Sequence, residues 1–111
     1  MEAEITAYKR CDVVKMSGRV DSNTAPTLGK ALSTITEAGK YKIIFDMSEV
    51  NFMSSAGWWV LIDAQKTCRR YKRGELVLAN VDSGIRASLD LVGMGSYFKI
   101  FDDITSAVGS F

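Results

Sequence analysis

Histidine is absent from the 111 residues of this chain. Its absence excludes a Ser-His-Asp triad, general acid/base chemistry by imidazole and any phosphohistidine relay. Proline occurs once, as Pro26, directly after Thr24 and Ala25. A proline is tolerated in the first turn of a helix, and the hydroxyl of Thr24 can cap such a turn. We therefore expect a helix to begin at this point.

Cysteine is scarce, and long apolar runs are missing. Cys11 and Cys68 lie far apart, which excludes a CxxC redox pair, and without histidine we expect no zinc site. No apolar run approaches the roughly 20 residues of a membrane helix, and the N-terminus lacks the features of a signal peptide. We expect two buried thiols in a cytoplasmic protein that has no cofactor, no metal and no membrane contact.

An excess of charge of either sign is also missing, since 14 Lys and Arg residues face 13 Asp and Glu residues. Such a balance gives no overall field that would attract nucleic acid. The basic run Arg69-Arg70-Tyr71-Lys72-Arg73 is a local exception. It falls where a helix should end, and cations complement the dipole there, so we expect no nucleic-acid partner. The length fits one domain over residues 1–111.

Taken in order, the pattern predicts an α/β fold with a mixed sheet of four to five strands and about four helices. Two strands, Ile5–Tyr8 and Val13–Ser17, should form an antiparallel pair at one side of the sheet. Crossover units of helix and parallel strand should follow. The predicted helices begin at residues 24–26, 54–55, 83 and 103, and the predicted later strands are 41–46, 75–79 and 97–101.

The central stretch runs from Lys42 to Tyr71 and is predicted to form a strand that ends at Asp46, a polar loop and a helix. The two serines Ser54 and Ser55 stand where an N-cap is needed, which places Ser55 near unpaired backbone N–H groups. In open parallel sheets, functional groups collect beyond the carboxyl ends of the strands. We therefore expect Asp21, Asp46, Ser48 and Ser55 to lie close together.

The stretch Phe45 to Gly57, FDMSEVNFMSSAG, resembles the signature of STAS domains, the bacterial anti-sigma-factor antagonists. That signature is a strand, Asp-x-Ser, a hydrophobic turn and Ser-Ala-Gly or Ser-Ser-Gly. Three further segments resemble the family in the same order, namely Gly18-Arg19-Val20-Asp21, Leu78-Ala79-Asn80-Val81 and Gly93 through Phe101. Two departures are Trp58-Trp59, where relatives often have Leu followed by Gly or Arg, and Ser54, where many have Asp.

The resemblance implies a phosphorylation-controlled switch rather than an enzyme. Such a protein binds an anti-sigma factor with serine-kinase activity and is released when its serine, here Ser55, is phosphorylated. A serine phosphatase resets it. Residues expected at the partner-binding surface are Asp21, Ser22, Ser54, Ser55, Trp58 and Trp59. Residues expected to support the loop are Asp46, Ser48 and Gly57.

The residues leave several alternatives open. By local pattern alone Ser55 is a plain N-cap, and the resemblance is what favours the acceptor role. A helical wheel places Val60, Leu61, Ala64 and Cys68 in the core, Trp59 on the far side and Trp58 at the boundary, where packing and interface contact are both open. A scaffold subunit of a stress-sensing assembly and a small serine-dependent enzyme of the Ser-Lys type are the competing functions. The oligomeric state is open.

Overall fold

Five strands form one sheet and four helices cover it within the residues that the structure, a computed structural model, describes: 3–71 and 74–111. The strands are β1 (Glu4–Ala7), β2 (Asp12–Val20), β3 (Lys42–Met53), β4 (Glu75–Ala79) and β5 (Ile100–Phe101). The helices are α1 (Ala25–Glu37), α2 (Ser55–Arg70), α3 (Ser83–Leu91) and α4 (Ile104–Gly109). This architecture confirms the predicted α/β fold with a mixed sheet.

The strands lie side by side in chain order, from β1 to β5. β1 is antiparallel to β2, as predicted for the first hairpin, and every later neighbour is parallel. Parallel neighbours need crossover connections, and α1, α2 and α3 provide them. The carboxyl ends of β2 and β3 consequently meet at one edge of the sheet, which is where α1 and α2 begin.

The two faces of the sheet are covered unequally. α1, α2 and α3 pack on one face around a large core that contains Phe45, Leu61 and Trp58. α4 packs on the other face, where Ala107 contacts a smaller cluster around Ile44 and Val77. None of the helices in the described ranges has the length and apolar character to cross a bilayer. Both Cys11 and Cys68 are buried free thiols, as expected.

The longest strand, β3, corrects the sequence prediction of a polar loop after Asp46. It continues to Met53 and stays paired with β2 as far as the pair Val20 and Met53. The register shifts twice, so that β3 holds one more residue than β2 at each shift. These bulges turn Met47, Val50 and Met53 inward at a spacing of three residues. A spacing of three hides the alternation by which a strand is recognised, and this is why the prediction failed.

Other predicted boundaries are close to the structure, with three corrections. α1 begins after Thr24, but the Thr24 hydroxyl does not cap the helix; it donates to the carbonyl oxygen of Arg19 at 2.7 Å. β2 continues through Gly18, whose φ of +87° fits glycine, although a break was predicted at this residue. β5 is only Ile100–Phe101, shorter than predicted. Lys72 and Arg73 of the basic run lie outside the described residues.

Candidate functional site

The candidate site lies where the last pair of β2 and β3 leads into α2. Val20 is paired with Met53, and the next residue, Ser54, donates its backbone N–H to the Val20 carbonyl oxygen at 2.9 Å. This hydrogen bond fixes Ser54 at the end of the sheet. α2 then begins at Ser55, so the strand pair determines where the helix N-terminus points.

The two serines have different roles. Ser54 is the N-cap in extended conformation, and its Oγ accepts the N–H of Gly57 at 3.4 Å. Ser55 is the first residue of the helix, and its side chain is exposed. The interpretation of Ser55 as the capping residue is therefore wrong, because Ser54 occupies that position. Since Ser54 is partly buried and engaged with the helix, the exposed hydroxyl at the edge of the site belongs to Ser55.

Gly57 lies inside the first turn of α2, as expected for a helix that begins at residues 54–55. A Cβ atom at this position would lie 2.9 Å from Cγ1 of Val20 and 2.9 Å from Cε of Met53. These distances are shorter than a van der Waals contact. The flexible end of Met53 could move away, but a Cβ at this position would also force Val20 or the helix to shift. Gly57 thus sets the position of the helix N-terminus through packing.

The tryptophans Trp58 and Trp59 point in opposite directions. Trp58 is only 1% exposed and donates its indole N–H to Oγ of Ser88 in α3 at 3.0 Å. This corrects its assignment to the partner-binding surface, because a buried side chain cannot contact a partner directly. Trp59 is 56% exposed, as the helical wheel predicted. It stands four residues after Ser55 and thus adjacent to it on the same helix face.

The wheel was less accurate for the rest of α2. Its buried residues are Gly57, Trp58, Leu61, Ile62, Gln65 and Cys68, whereas the predicted core residues Val60 and Ala64 are only partly buried. Gln65 is the residue that sequence reasoning missed. It is fully buried, accepts the Leu76 N–H at 2.7 Å and donates to the Leu76 carbonyl oxygen at 2.9 Å. Because of these two bonds, the side of α2 that carries Gln65 is turned toward β4, and the buried face differs from the one that the helical wheel predicted.

Asp21 organises the loop between β2 and α1. Its carboxylate accepts the backbone N–H groups of Asn23 at 2.9 Å and Thr24 at 3.2 Å, and it lies 3.8 Å from the Arg19 guanidinium. The hydrogen bond from Asn23 and the further bonds from Thr24 hold the pKa of the Asp21 carboxyl below its ordinary value. Ser22 is exposed at the tip of this loop. Asp21 therefore keeps the loop in one shape and presents Ser22.

Two exposed side chains at the same edge were not identified from the sequence. Phe52 is 38% exposed, and the Arg19 guanidinium lies 4.1 Å from the centre of its ring. The two residues are directly paired across β2 and β3. A cation over an aromatic face is a favourable contact. The signal that could have found this pair is the strand register, which the bulges concealed.

Asp46 and Ser48 do not belong to this site, in contrast to the expectation from the sequence. Asp46 is paired with Ala79 and lies seven residues before Met53, on the order of 20 Å along the strand. Its buried carboxylate accepts from Asn80 Nδ2 at 3.1 Å and from the Ser48 N–H at 3.0 Å. Asp46 thus stabilises the first bulge and ties β3 to the end of β4, inside a strand instead of a loop.

The sequence that forms this site matches a known protein family. The family model of the STAS domain matches residues 2–107. The chain belongs to the STAS domain family. A relative of this STAS domain is the anti-sigma-B factor antagonist of Listeria monocytogenes, 27% identical over 85 residues, which are 77% of this chain and 74% of the relative.

Two solved structures share this fold. An anti-sigma factor antagonist from Mycobacterium paratuberculosis superposes with a TM-score of 0.86 at 21% identity, over 97% of this chain and 91% of the other. The Bacillus cell fate determinant SpoIIAA in its phosphorylated form superposes with a TM-score of 0.75 at 18% identity, over 97% of each chain. At these identities the likeness concerns the fold.

Proposed function

We propose that this STAS domain is an anti-sigma-factor antagonist whose binding to an anti-sigma factor is controlled by phosphorylation of Ser55. The observation that carries the proposal is that Ser54 and Ser55 have different roles at the start of α2. Ser54 is held as the cap by Gly57, whereas Ser55 is exposed one residue further on. Relatives of the chain are named anti-sigma factor antagonists, which supports the same role.

The helix N-terminus suits a phosphoserine. The first backbone N–H groups of a helix have no partner within the helix, and its dipole favours negative charge at this end. A phosphate on Ser55 would therefore be stabilised inside the domain, which needs no rearrangement to accept it. A partner docked on the same surface would instead face about two additional negative charges. Phosphorylation should therefore release the partner without unfolding the domain.

The partner-binding surface that we infer surrounds Ser55. It contains Ser22 and the Asp21 loop, the Arg19 and Phe52 pair, and Trp59. Trp59 presents a large apolar side chain beside the phosphorylation site, and exposed aromatic residues are frequent anchors of interfaces. The partner is an anti-sigma factor that carries serine-kinase activity, and a serine phosphatase reverses the modification.

Two other functions remain as alternatives. A scaffold subunit of a larger assembly would use the same fold, and its mass in size-exclusion chromatography would distinguish it. A Ser-Lys enzyme would use Ser55 as a nucleophile. Such an enzyme needs a lysine that contacts the serine hydroxyl, whereas within the described part of the chain the Ser55 hydroxyl is not hydrogen-bonded to any side chain. Ester hydrolysis that disappears in Ser55→Ala would favour the enzyme.

The decisive experiment is phosphopeptide mapping after incubation with the cognate anti-sigma kinase. We expect modification of Ser55, with Ser54→Ala still modified and Ser55→Ala unmodified. Ser55→Asp should bind the anti-sigma factor more weakly than Ser55→Ala and should melt close to the wild-type temperature, because the helix N-terminus accepts an anion. Modification confined to Ser54, Ser48 or Ser22 would refute the assignment.

A further inference from the structure

A second candidate site lies at the opposite end of the sheet. The connection between β1 and β2 and the connection between α1 and β3 enclose a depression of about 400 Å³. Four basic side chains line it: Lys9 and Arg10 from the first connection, and Lys40 and Lys42 from the second. The volume is in the range of pockets that hold small molecules. The depression lies far from Ser55, and a role for it does not depend on the proposed function of Ser55.

The charge of this depression is unusual for the chain. Four cations and one carboxylate, that of Asp12, give the lining a net charge of +3, whereas the whole chain carries only +1. The remainder of the molecule is therefore net negative. Cations gathered in a concave surface repel one another and raise the local concentration of anions. The chain thus gathers positive charge in this depression, in addition to the basic run that begins at Arg69, although its composition is balanced.

The single carboxylate does not neutralise the cluster. Asp12 is 4% exposed, and it lies 3.6 Å from the Lys40 ammonium. Within the described ranges, no Asp or Glu side chain lies within salt-bridge distance of Lys9, Arg10 or Lys42. Arg10 donates one hydrogen bond to an oxygen of Phe111, the last residue of the sequence, at 3.3 Å. Its other guanidinium N–H groups, together with Lys9 and Lys42, can therefore bind an anionic ligand.

A purely structural explanation accounts for one member of the cluster. Lys40 lies three residues after the end of α1, near the negative end of the helix dipole, and it is paired with Asp12. Lys42 is the first residue of β3 and has no such explanation. Lys9 and Arg10 come from the hairpin and follow no helix end. The exposed ring of Tyr8 lies beside them and offers a flat surface for stacking. The positive charge of the depression therefore depends on Lys9 and Arg10 of the hairpin, which no helix end explains.

We propose that this depression, the basic pocket, binds a small molecule that carries two or more clustered phosphate groups. Lys9, Arg10 and Lys42 contact the phosphate oxygens, and Lys40 stays paired with Asp12. β2 runs without interruption from Asp12 at the pocket to Val20 beside the phosphorylation site, roughly 30 Å in nine residues. At that separation, both sites can be occupied at the same time.

The test is a titration of the whole chain with sodium tripolyphosphate, followed by amide chemical shifts in NMR. We expect saturable shifts confined to the two connections around the pocket. Lys9→Gln, Arg10→Gln and Lys42→Gln combined should weaken binding at least roughly tenfold, since each ion pair removed contributes a part of the affinity. The matched control removes three exposed cations elsewhere, by Lys30→Gln, Lys66→Gln and Arg86→Gln, and should bind normally.

The outcomes separate the possible sources of the phosphate. Binding of vesicles that contain cardiolipin, which carries two phosphates in one headgroup, lost in the same pocket variant, would assign the phosphates to a lipid headgroup. Binding of tripolyphosphate alone would assign them to a soluble molecule. Should the triple variant fail to fold, Lys9→Gln with Arg10→Gln keeps the test, since both residues are exposed in the hairpin. Absence of saturable binding to either probe, or equal weakening in the control, overturns the proposal.

Discussion

The first two turns of α2 contain two pairs of identical residues that the fold uses in opposite ways. Ser54 and Trp58 face the protein: one caps the helix and the other is buried against Ser88. Ser55 and Trp59 follow them by one residue each and face solvent. One step along a helix rotates a side chain by about 100°, which is enough to bury one of two neighbouring side chains and to expose the other. The first pair therefore contributes to stability, and the proposed function gives the second pair its role in binding.

The largest expected effect concerns the stability difference between the tryptophans. Trp58→Ala removes a buried indole and leaves a cavity beside α3, so we expect a loss of about 3–5 kcal/mol in the free energy of unfolding. Trp59→Ala removes an exposed side chain and should change it by less than about 0.5 kcal/mol. Urea denaturation of both variants measures the difference. Equal losses would show that Trp59 is also packed and would abolish the comparison.

The next effect is on binding and sharpens the second half of the comparison. Trp59→Ala should weaken association with the anti-sigma factor by well over tenfold, since truncation of an interfacial aromatic anchor typically costs ~2 kcal/mol. Isothermal titration with the purified partner measures the affinity. Lys66→Ala, on the same exposed side of α2 but further from Ser55, is the control and should bind nearly as well as the wild type. An unchanged affinity of Trp59→Ala would place the interface elsewhere.

The smallest effect distinguishes the two serines in the unmodified protein. Ser54→Ala removes the acceptor for the Gly57 N–H and should destabilise the domain by up to about 1 kcal/mol. The 3.4 Å distance of this bond places the expected loss toward the lower part of that range. Ser55→Ala should be close to neutral. Thermal melts of the two single variants and the double variant suffice, and a larger loss for Ser55→Ala would reverse the assignment of the cap.

Much of the fold was accessible from the sequence because the signals were local. Glu75–Ala79 was predicted with the bounds that the structure shows, because a short apolar run between polar residues is typical of a buried strand. The first residue of α3, Ser83, was also predicted, from the helical spacing that follows it. The antiparallel hairpin followed from its short connection. The exposure of Trp59 followed from the helical period alone. These features need no knowledge of distant parts of the chain.

The candidate site was accessible only in part. The resemblance of residues 45–57 to the STAS signature directed attention to Ser55, but the periodicity of the same residues suggested a loop. Two bulges opposite β2 keep that segment in the sheet, and a bulge is defined by the partner strand. The position of Ser54 as the cap depends likewise on its bond to Val20, 34 residues earlier. Long-range pairing of this kind leaves no local pattern.

The sequence by itself determined the order of the elements, the lack of histidine chemistry and the family, because composition and motif spacing are properties of the chain alone. Tertiary structure decided which neighbour of each pair faces inward. Trp58 is buried because Ser88 and α3 lie above it, and Gln65 is buried because Leu76 offers both a donor and an acceptor. The basic pocket, too, exists only because two connections, about 30 residues apart in the chain, meet at one end of the sheet.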